Sequence, residues 1–344
     1  MAVTFLTPDP SAFGITLGDL RKSPYRELHQ QFTASFRSTG TRAGGRIVWP
    51  TRTYYELKRR GHDVELDVTY RPGCLNIGHG SYLRRLDREG VEAPSDAVIV
   101  SIDGDKPRYL FAQANIAQAP KPDGWWAPYW PQAGIIPRSQ DRGLKVESIA
   151  YFGNVHAGDR RLHSRIEQMC VDHGLRYRTV SPDHWHDYSD VDVALALRHD
   201  WRFRAGRKPA SKYVNALIAN VPFIATPEPA YLDIPVPSSL LGRTTSARDA
   251  LTLITALRND PVRQRILRTQ YDRLTEEHFI TYAATHWERV IAALKCSSAQ
   301  RTARTLIHDS NRRARLQETY DFLDNKPRNA GGRISARVTT FVRS

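Results

Sequence analysis

Short strand-like runs alternate with helix-like stretches along most of this chain, and this alternation restricts its fold more than any other feature. The stretch IVWPTRTYYELKRRGHDVELDV is typical of a helix that ends at Gly61, followed by a strand of alternating apolar residues from Val64. A second strand is predicted at 97–102. Residues from about 118 to 143 are dense in Pro, Gly and Trp, which indicates a crossover between two domains.

The same alternation restarts after the crossover. Strands are predicted in ESIAYFG, LRYRTV, VDVALALR and VPFIAT, and helices in DRRLHSRIEQMCVDHG, at about 210–219 and within 246–295. Strands that alternate with helices indicate parallel sheets with helices packed on their faces. We therefore predict an α/β fold made of two Rossmann-like, doubly wound domains that face a cleft.

The length of 344 residues fits two domains and a terminal extension. The predicted divisions are a first Rossmann-like domain at 1–140, a second at 141–295, and a basic C-terminal helix or tail at 296–344. The last 44 residues hold ten Lys and Arg against four Asp and Glu, and their end, KPRNAGGRISARVTTFVRS, is typical of extended chain.

The whole chain is basic, with 50 Lys and Arg against 36 Asp and Glu and a net charge of +14. Such a charge favours phosphate-bearing ligands, polyanions or an anionic membrane face. The sequence has no apolar run long enough to span a membrane and no signal-peptide pattern at its start, so a cytoplasmic protein is predicted. Three scattered cysteines support neither a disulfide framework nor a zinc site. The motifs of dehydrogenases, P-loop NTPases and serine hydrolases are absent from the sequence.

The stretch RHDWRFRAGRKPASKYVNALIANVPFIATPEPAYLDI, residues 198–234, carries the most chemical information. Pro209, followed by Ser211 as a predicted N-cap, indicates a helix that begins with exposed N–H groups. The cations around this helix start are Arg204, Arg207, Lys208 and Lys212. A helix N-terminus ringed by cations suits a phosphate or diphosphate group. The alternative, a solvated basic loop before an ordinary helix, stays open on charge alone.

The order of residues in this stretch resembles the donor-site segment of GT-B glycosyltransferases. Lys-Pro-Ala-Ser-Lys-x-x-Asn-Ala is followed by Ala-Asn-Val-Pro, a strand, and Pro-Glu-Pro. YELKRRGHDV is similar to the L-x-x-RGH-x-V segment of these enzymes, and AYFGN and WHDYSDVDVALALR are similar to two strands of their donor domain. The resemblance covers roughly residues 45–290. Two paired glutamates of many retaining members are replaced by Arg207 and Asn215, and Asn220 stands where glycine is usual.

The resemblance implies transfer of a sugar from a nucleotide-sugar donor to an acceptor hydroxyl, with the acceptor on the first domain and the donor on the second. Fixed cations and helix N–H groups can neutralise the leaving diphosphate, so no metal and no cofactor are expected. The predicted donor-binding residues are Gly153, Arg198, Arg207, Lys208, Ser211, Lys212, Asn215 and Glu228. The predicted partners are the donor, a glycan, lipid-linked or small-molecule acceptor, and an anionic membrane surface for a peripheral enzyme. Because Arg207 and Asn215 depart from the family pattern, both retention and inversion of the anomeric configuration stay open.

His79, in NIGHGS, and Asp103, after its strand, are the candidate catalytic bases. Asp103-Gly-Asp105 also fits the metal motif of GT-A transferases, which is the less favoured alternative. Two other classes compete with a transferase. The charge and the arginine-rich tail fit a nucleic-acid-binding protein, although nucleic acid is not the expected partner, and a sugar-nucleotide epimerase or inert relative fits the resemblance.

Overall fold

The computed structural model describes residues 1–22, 27, 45–103, 108–120, 124–155, 160–198, 208–300 and 314–318. They form two compact units, one built from Met1–Ala127 with the described residues from Ala284 onward, the other from Pro128–Ala283. The division therefore falls before the predicted 140/141, and residues 284–295 belong to the first unit instead of the second. Residues 128–140 belong to the second unit, in which the Gln132 side chain accepts a hydrogen bond from Asn215 and the Arg138 side chain donates one to Asp192.

The first unit contains a six-stranded parallel sheet. Its strands are β1 Val3–Leu6, β2 Val64–Asp67, β3 Leu75–His79, β4 Val98–Ile102, β5 Ala114–Ala117 and β6 Trp125–Trp126, in the order β2-β1-β3-β4-β5-β6. Before the crossover, its described residues include the helices α1 Leu17–Lys22, α2 Gly45–Arg59 and α3 Gly80–Arg88. All four residues of β1 are buried, as expected for an inner strand of a parallel sheet. Strands β1 and β3 were not predicted from the sequence.

The second unit contains a five-stranded parallel sheet. Its strands are β7 Ser148–Phe152, β8 Arg176–Val180, β9 Val193–Ala196, β10 Phe223–Ala225 and β11 Leu241–Arg243, in the order β11-β10-β9-β7-β8. The helices are α4 Arg160–Asp172, α5 Ser211–Ile218, α6 Pro229–Leu232, α7 Ala247–Asn259 and α8 Pro261–Tyr271. The prediction of two parallel α/β halves is confirmed.

Both sheets reverse their direction of growth at one point. In each sheet, the first strand in the sequence is an inner strand. The second strand pairs with one edge of it, and the third strand pairs with its other edge. The reversals lie between β1 and β3 and between β7 and β9. In open α/β sheets, ligands bind outside the carboxyl ends of the strands at such reversals. Each unit therefore has a preferred place for a ligand.

The C-terminal part of the chain returns to the first unit. Helix α9, Glu276–Gln300, buries Trp287, whose ring meets Phe5 and Trp49 edge-on at centroid distances of 6.1 and 6.3 Å. Further on, the Gln317 amide accepts a hydrogen bond from the Leu110 N–H at 2.8 Å and donates one to the Arg108 carbonyl at 3.0 Å. No helix within the described residues is long and apolar enough to cross a membrane. Most of the tail, 301–313 and 319–344, lies outside the described residues, so the partners inferred from its charge stay predictions.

Candidate functional site

The carboxyl edge of the second sheet gathers several of the predicted donor-binding residues. Gly153 directly follows β7, Arg198 follows β9, and Glu228 follows β10. These three strands are neighbours in the sheet, and all are parallel, so their carboxyl ends lie along one edge. The reversal between β7 and β9 lies between Gly153 and Arg198. The chain therefore brings together, at the preferred ligand position, residues that are far apart in sequence.

Lys212, in the first turn of α5, reaches this edge. Its Nζ atom lies 4.1 Å from the centroid of the Tyr151 ring in β7, a cation–π contact. A Cβ atom added to Gly153 would lie 2.6 Å from the same Nζ. The sequence suggested Gly153 as a place where backbone approaches phosphate; the structure shows that its missing side chain makes room for the Lys212 ammonium. Tyr151 was not predicted, because in the sequence it looks like an ordinary residue of a buried strand.

Glu228 is completely buried behind these cations. The Arg198 Nε atom lies 3.4 Å from Glu228 Oε1 and forms an ion pair with it. Burial raises the pKa of the Glu228 carboxyl above its usual value, while the positive charges of Arg198, Lys212 and Lys208 act in the opposite direction. The arrangement is a buried carboxylate that faces three cations, one after β9 and two at the start of α5.

The start of α5 differs in detail from the prediction. Ser211 is the first residue of the helix, and Ala210 is its N-cap. The predicted capping role of Ser211 is therefore wrong: the helix begins one residue too early for the hydroxyl to act as the cap, and Ala210 has no side-chain oxygen for that purpose. Lys208, two residues earlier, is close enough to affect the pKa of Glu228. Arg207 lies outside the described residues.

Asn215 has a structural task that the sequence did not indicate. Its Oδ1 atom accepts a hydrogen bond from the Gln132 N–H at 3.1 Å, and its Nδ2 atom donates one to Gln132 Oε1 at 3.0 Å. The side chain is buried. Both ends of the amide thus bind Gln132 in the crossover segment, and the predicted contact of Asn215 with the donor stays a prediction.

The candidate bases lie on neighbouring strands of the first sheet. His79 ends β3 and is the register partner of Ile102, the last residue of β4, which Asp103 follows. His79 also caps α3, since its Nδ1 atom accepts a hydrogen bond from the Ser81 N–H at 3.2 Å. Asp103 Oδ1 accepts one from the Ser101 hydroxyl at 3.3 Å. Thr7, fully buried directly after β1, belongs to the same edge and was not predicted.

The alternative metal motif is only partly described. Asp105, its second carboxylate, lies outside the described residues. Within the part of the chain that the structure describes, no three His, Cys, Asp or Glu side chains group in a way that could hold a metal ion. The choice between a metal-free and a metal-dependent reaction therefore stays a prediction.

No protein family and no curated protein matches the sequence. Among solved structures, the chain is similar to AviGT4, a glycosyltransferase involved in avilamycin A biosynthesis, with 14% identity over 76% of this chain and 92% of that chain and a TM-score of 0.43. It is also similar to Anabaena HepE in complex with UDP and glucose (10% identity, 86% and 99% coverage, TM-score 0.47) and to TarM (9%, 73% and 58%, 0.43). At these values likeness alone does not assign an activity, so the proposal below rests on this chain's own residues.

Proposed function

We propose that this protein is a glycosyltransferase that moves a sugar from a nucleotide-sugar donor to an acceptor hydroxyl. The observation that carries the proposal is the position of Lys212 and Arg198. Both cations stand at the carboxyl edge of the second sheet, beside the reversal between β7 and β9. The N-terminus of α5, where the first N–H groups of a helix have no acceptor within the helix itself, starts at the same place. Two fixed cations and a helix N-terminus suit a diphosphate.

The proposed chemistry uses these groups to stabilise the leaving group. The acceptor oxygen attacks the anomeric carbon of the donor sugar, and the bond from that carbon to the diphosphate oxygen breaks. The electron pair leaves with the nucleoside diphosphate, where Lys212, Arg198 and the α5 N–H groups stabilise the new negative charge. The hydroxyl proton goes to a base, for which His79 and Asp103 are the candidates in an inverting reaction. In this proposal no metal ion takes part.

Binding of nucleoside diphosphates tests the proposal directly. We expect the wild type to bind at least one of UDP, GDP, ADP and CDP in calorimetric titrations, equally well with and without EDTA. Lys212→Ala should weaken that binding by about tenfold or more, because a charged hydrogen bond contributes roughly 1.5–3 kcal/mol. Arg263→Ala, which removes an exposed positive charge on α8 of the same unit, is the matched control and should change the affinity little.

Equal affinity of the wild type and Lys212→Ala would contradict the proposal, and so would the absence of binding by the wild type. A requirement for a divalent cation, shown by loss of binding in EDTA and recovery with Mg²⁺ or Mn²⁺, would contradict its metal-free part and favour the Asp103-Gly-Asp105 alternative.

A further inference from the structure

Glu228 is surrounded by charge from several elements of the second unit. Arg198, beyond the end of β9, forms an ion pair with it, and Lys208 and Lys212 face it from the start of α5. From α6, the buried Tyr231 also faces it; burial raises the pKa of Tyr231 far above its usual value, so this phenol stays neutral. Glu228 itself has no exposed surface. Its charge state therefore depends on the cations near it.

A buried carboxylate loses much of its hydration, and positive neighbours must compensate for that loss. The three cations that face Glu228 include the two that we propose as ligands of the diphosphate. A diphosphate brings two or three negative charges to the same group of cations. When these cations also neutralise the charge of the diphosphate, they stabilise the ionised form of Glu228 less. The negative charge of the diphosphate also repels the carboxylate.

We propose that Glu228 is an internal counter-anion: it balances Arg198, Lys208 and Lys212 when no diphosphate is bound, and it takes up a proton from solvent when a diphosphate binds. The inference rests on the proposed function. The reaction at Glu228 is the addition of one proton to a carboxylate oxygen, with no other bond made or broken. Burial already raises the pKa of this carboxyl, and a bound diphosphate raises it further, because the added negative charge disfavours the ionised form.

This role predicts an effect on ligand affinity that is opposite to the effect expected for a residue that binds the donor directly. If Glu228 accepted hydroxyl groups of the ligand, its loss would weaken binding. As a counter-anion it competes with the diphosphate, so its removal strengthens binding of a probe that has no hydroxyl groups. By linkage, the affinity for that probe also rises as the pH falls, because the complex binds more protons than the free protein.

The experiment is calorimetric titration of inorganic pyrophosphate into the wild type, Glu228→Gln and Glu167→Gln, at several pH values. Each titration is repeated in two buffers of different ionisation enthalpy, which gives the number of protons taken up. Glu167 is exposed on α4 and is the matched control. Proton exchange by pyrophosphate itself is common to all three proteins, so differences between them report on Glu228.

We expect Glu228→Gln to bind pyrophosphate about tenfold more tightly at pH 7.5, with less proton uptake and a flatter pH dependence than the wild type and Glu167→Gln. Infrared difference spectra of the wild type should show a protonated-carboxyl band on addition of pyrophosphate. This measurement does not depend on the folding of any variant. Equal proton uptake in wild type and Glu228→Gln, weaker binding by the variant, or no such band would overturn the inference while leaving the proposed function intact. Absence of pyrophosphate and nucleoside diphosphate binding by the wild type would overturn both.

Discussion

At the scale of single residues, the position of the Lys212 ammonium depends on an absent side chain. The space that a Cβ of Gly153 would occupy is 2.6 Å from Lys212 Nζ and 3.0 Å from the nearest atom of the Tyr151 ring. The ammonium and the ring are in contact with each other as well. A single added methyl group at position 153 must therefore displace the cation on which the proposed diphosphate site depends.

We expect Gly153→Ala to weaken nucleoside diphosphate binding by roughly three- to tenfold, with less than about 1 kcal/mol lost from the free energy of unfolding, since the end of a flexible lysine can move. Calorimetric titration and urea denaturation measure the two quantities. In a Lys212→Ala background the same substitution should have little effect on binding, which makes the pair non-additive. Additive effects would show that Gly153 acts independently of Lys212.

At the same scale, Asn220 adopts a backbone conformation that is uncommon for a residue other than glycine. It stands where the resembling enzymes have glycine, and its φ of 58° is left-handed. Asparagine tolerates this conformation better than other residues with a Cβ, and the chain here ends α5. Its Nδ2 atom also donates a hydrogen bond to Asp272 Oδ1 at 2.6 Å. Asn220 therefore supports the left-handed turn between α5 and β10.

At the scale of elements, the Asp192 carboxylate links the N-terminal ends of strands β7 and β9 by hydrogen bonds. Asp192, just before β9, accepts hydrogen bonds from the backbone N–H groups of Glu147 and Ser148 at the start of β7, each at 2.9 Å. Arg138 and Arg142 also donate to it, from Nε at 2.9 Å and from Nη2 at 2.6 Å. Burial tends to raise the pKa of Asp192, but the hydrogen bonds from Arg142 and the backbone outweigh it, so the pKa is lowered.

We expect Asp192→Asn to lower the free energy of unfolding at pH 7 by about 3–5 kcal/mol, because it leaves the buried Arg138 and the half-buried Arg142 without this anion. A lowered pKa stabilises the fold above the unfolded-state value near 3.8, and this stabilisation is lost as the pH falls through the folded-state pKa. Urea denaturation should therefore show that the difference between the two proteins shrinks as the pH falls below 3.8. Asp172→Asn, at an exposed position on α4, is the control, and an equal loss in both variants would contradict the prediction.

Elements whose residue pattern lies within one short stretch of sequence were predicted, whereas features that join distant stretches were not. Runs such as AVIVSI and ESIAYF carry their own strand signal, and the rule that parallel strands end at a common edge then places Gly153, Arg198 and Glu228 together. Strand β1 is only four residues long, too short to show a period. The Asn215–Gln132 bonds and the Tyr151–Lys212 contact join residues distant in sequence, and no local pattern encodes them. Prediction therefore succeeded for backbone placement and failed for side-chain partners.

At the scale of the whole molecule, the first unit is assembled from both ends of the chain and the second from one continuous stretch. Trp287 of α9 is completely buried against Phe5 and Trp49 of the N-terminal part. The Gln317 amide holds the backbone of residues 108 and 110. The hydrophobic core of the first unit is thus incomplete without residues that follow the second unit in sequence.

We expect Trp287→Ala to destabilise the first unit by about 3–5 kcal/mol, because it removes a large aromatic side chain from a closed core. Hydrogen exchange measured by mass spectrometry should show lost protection in β1, β3 and β4, with protection in β7 and β9 largely retained. Ile266→Ala, at an exposed site on α8, should change neither. Equal loss of protection in both units would show that they unfold as one.

This discontinuity sets an order of events during synthesis on the ribosome. Residues 1–127 emerge before residues 128–283 but cannot yet bury Phe5 and Trp49 against Trp287, whereas residues 128–283 can close their own sheet as soon as they have left the exit tunnel. Of these two units, the one whose synthesis starts earlier is therefore the one whose core closes later.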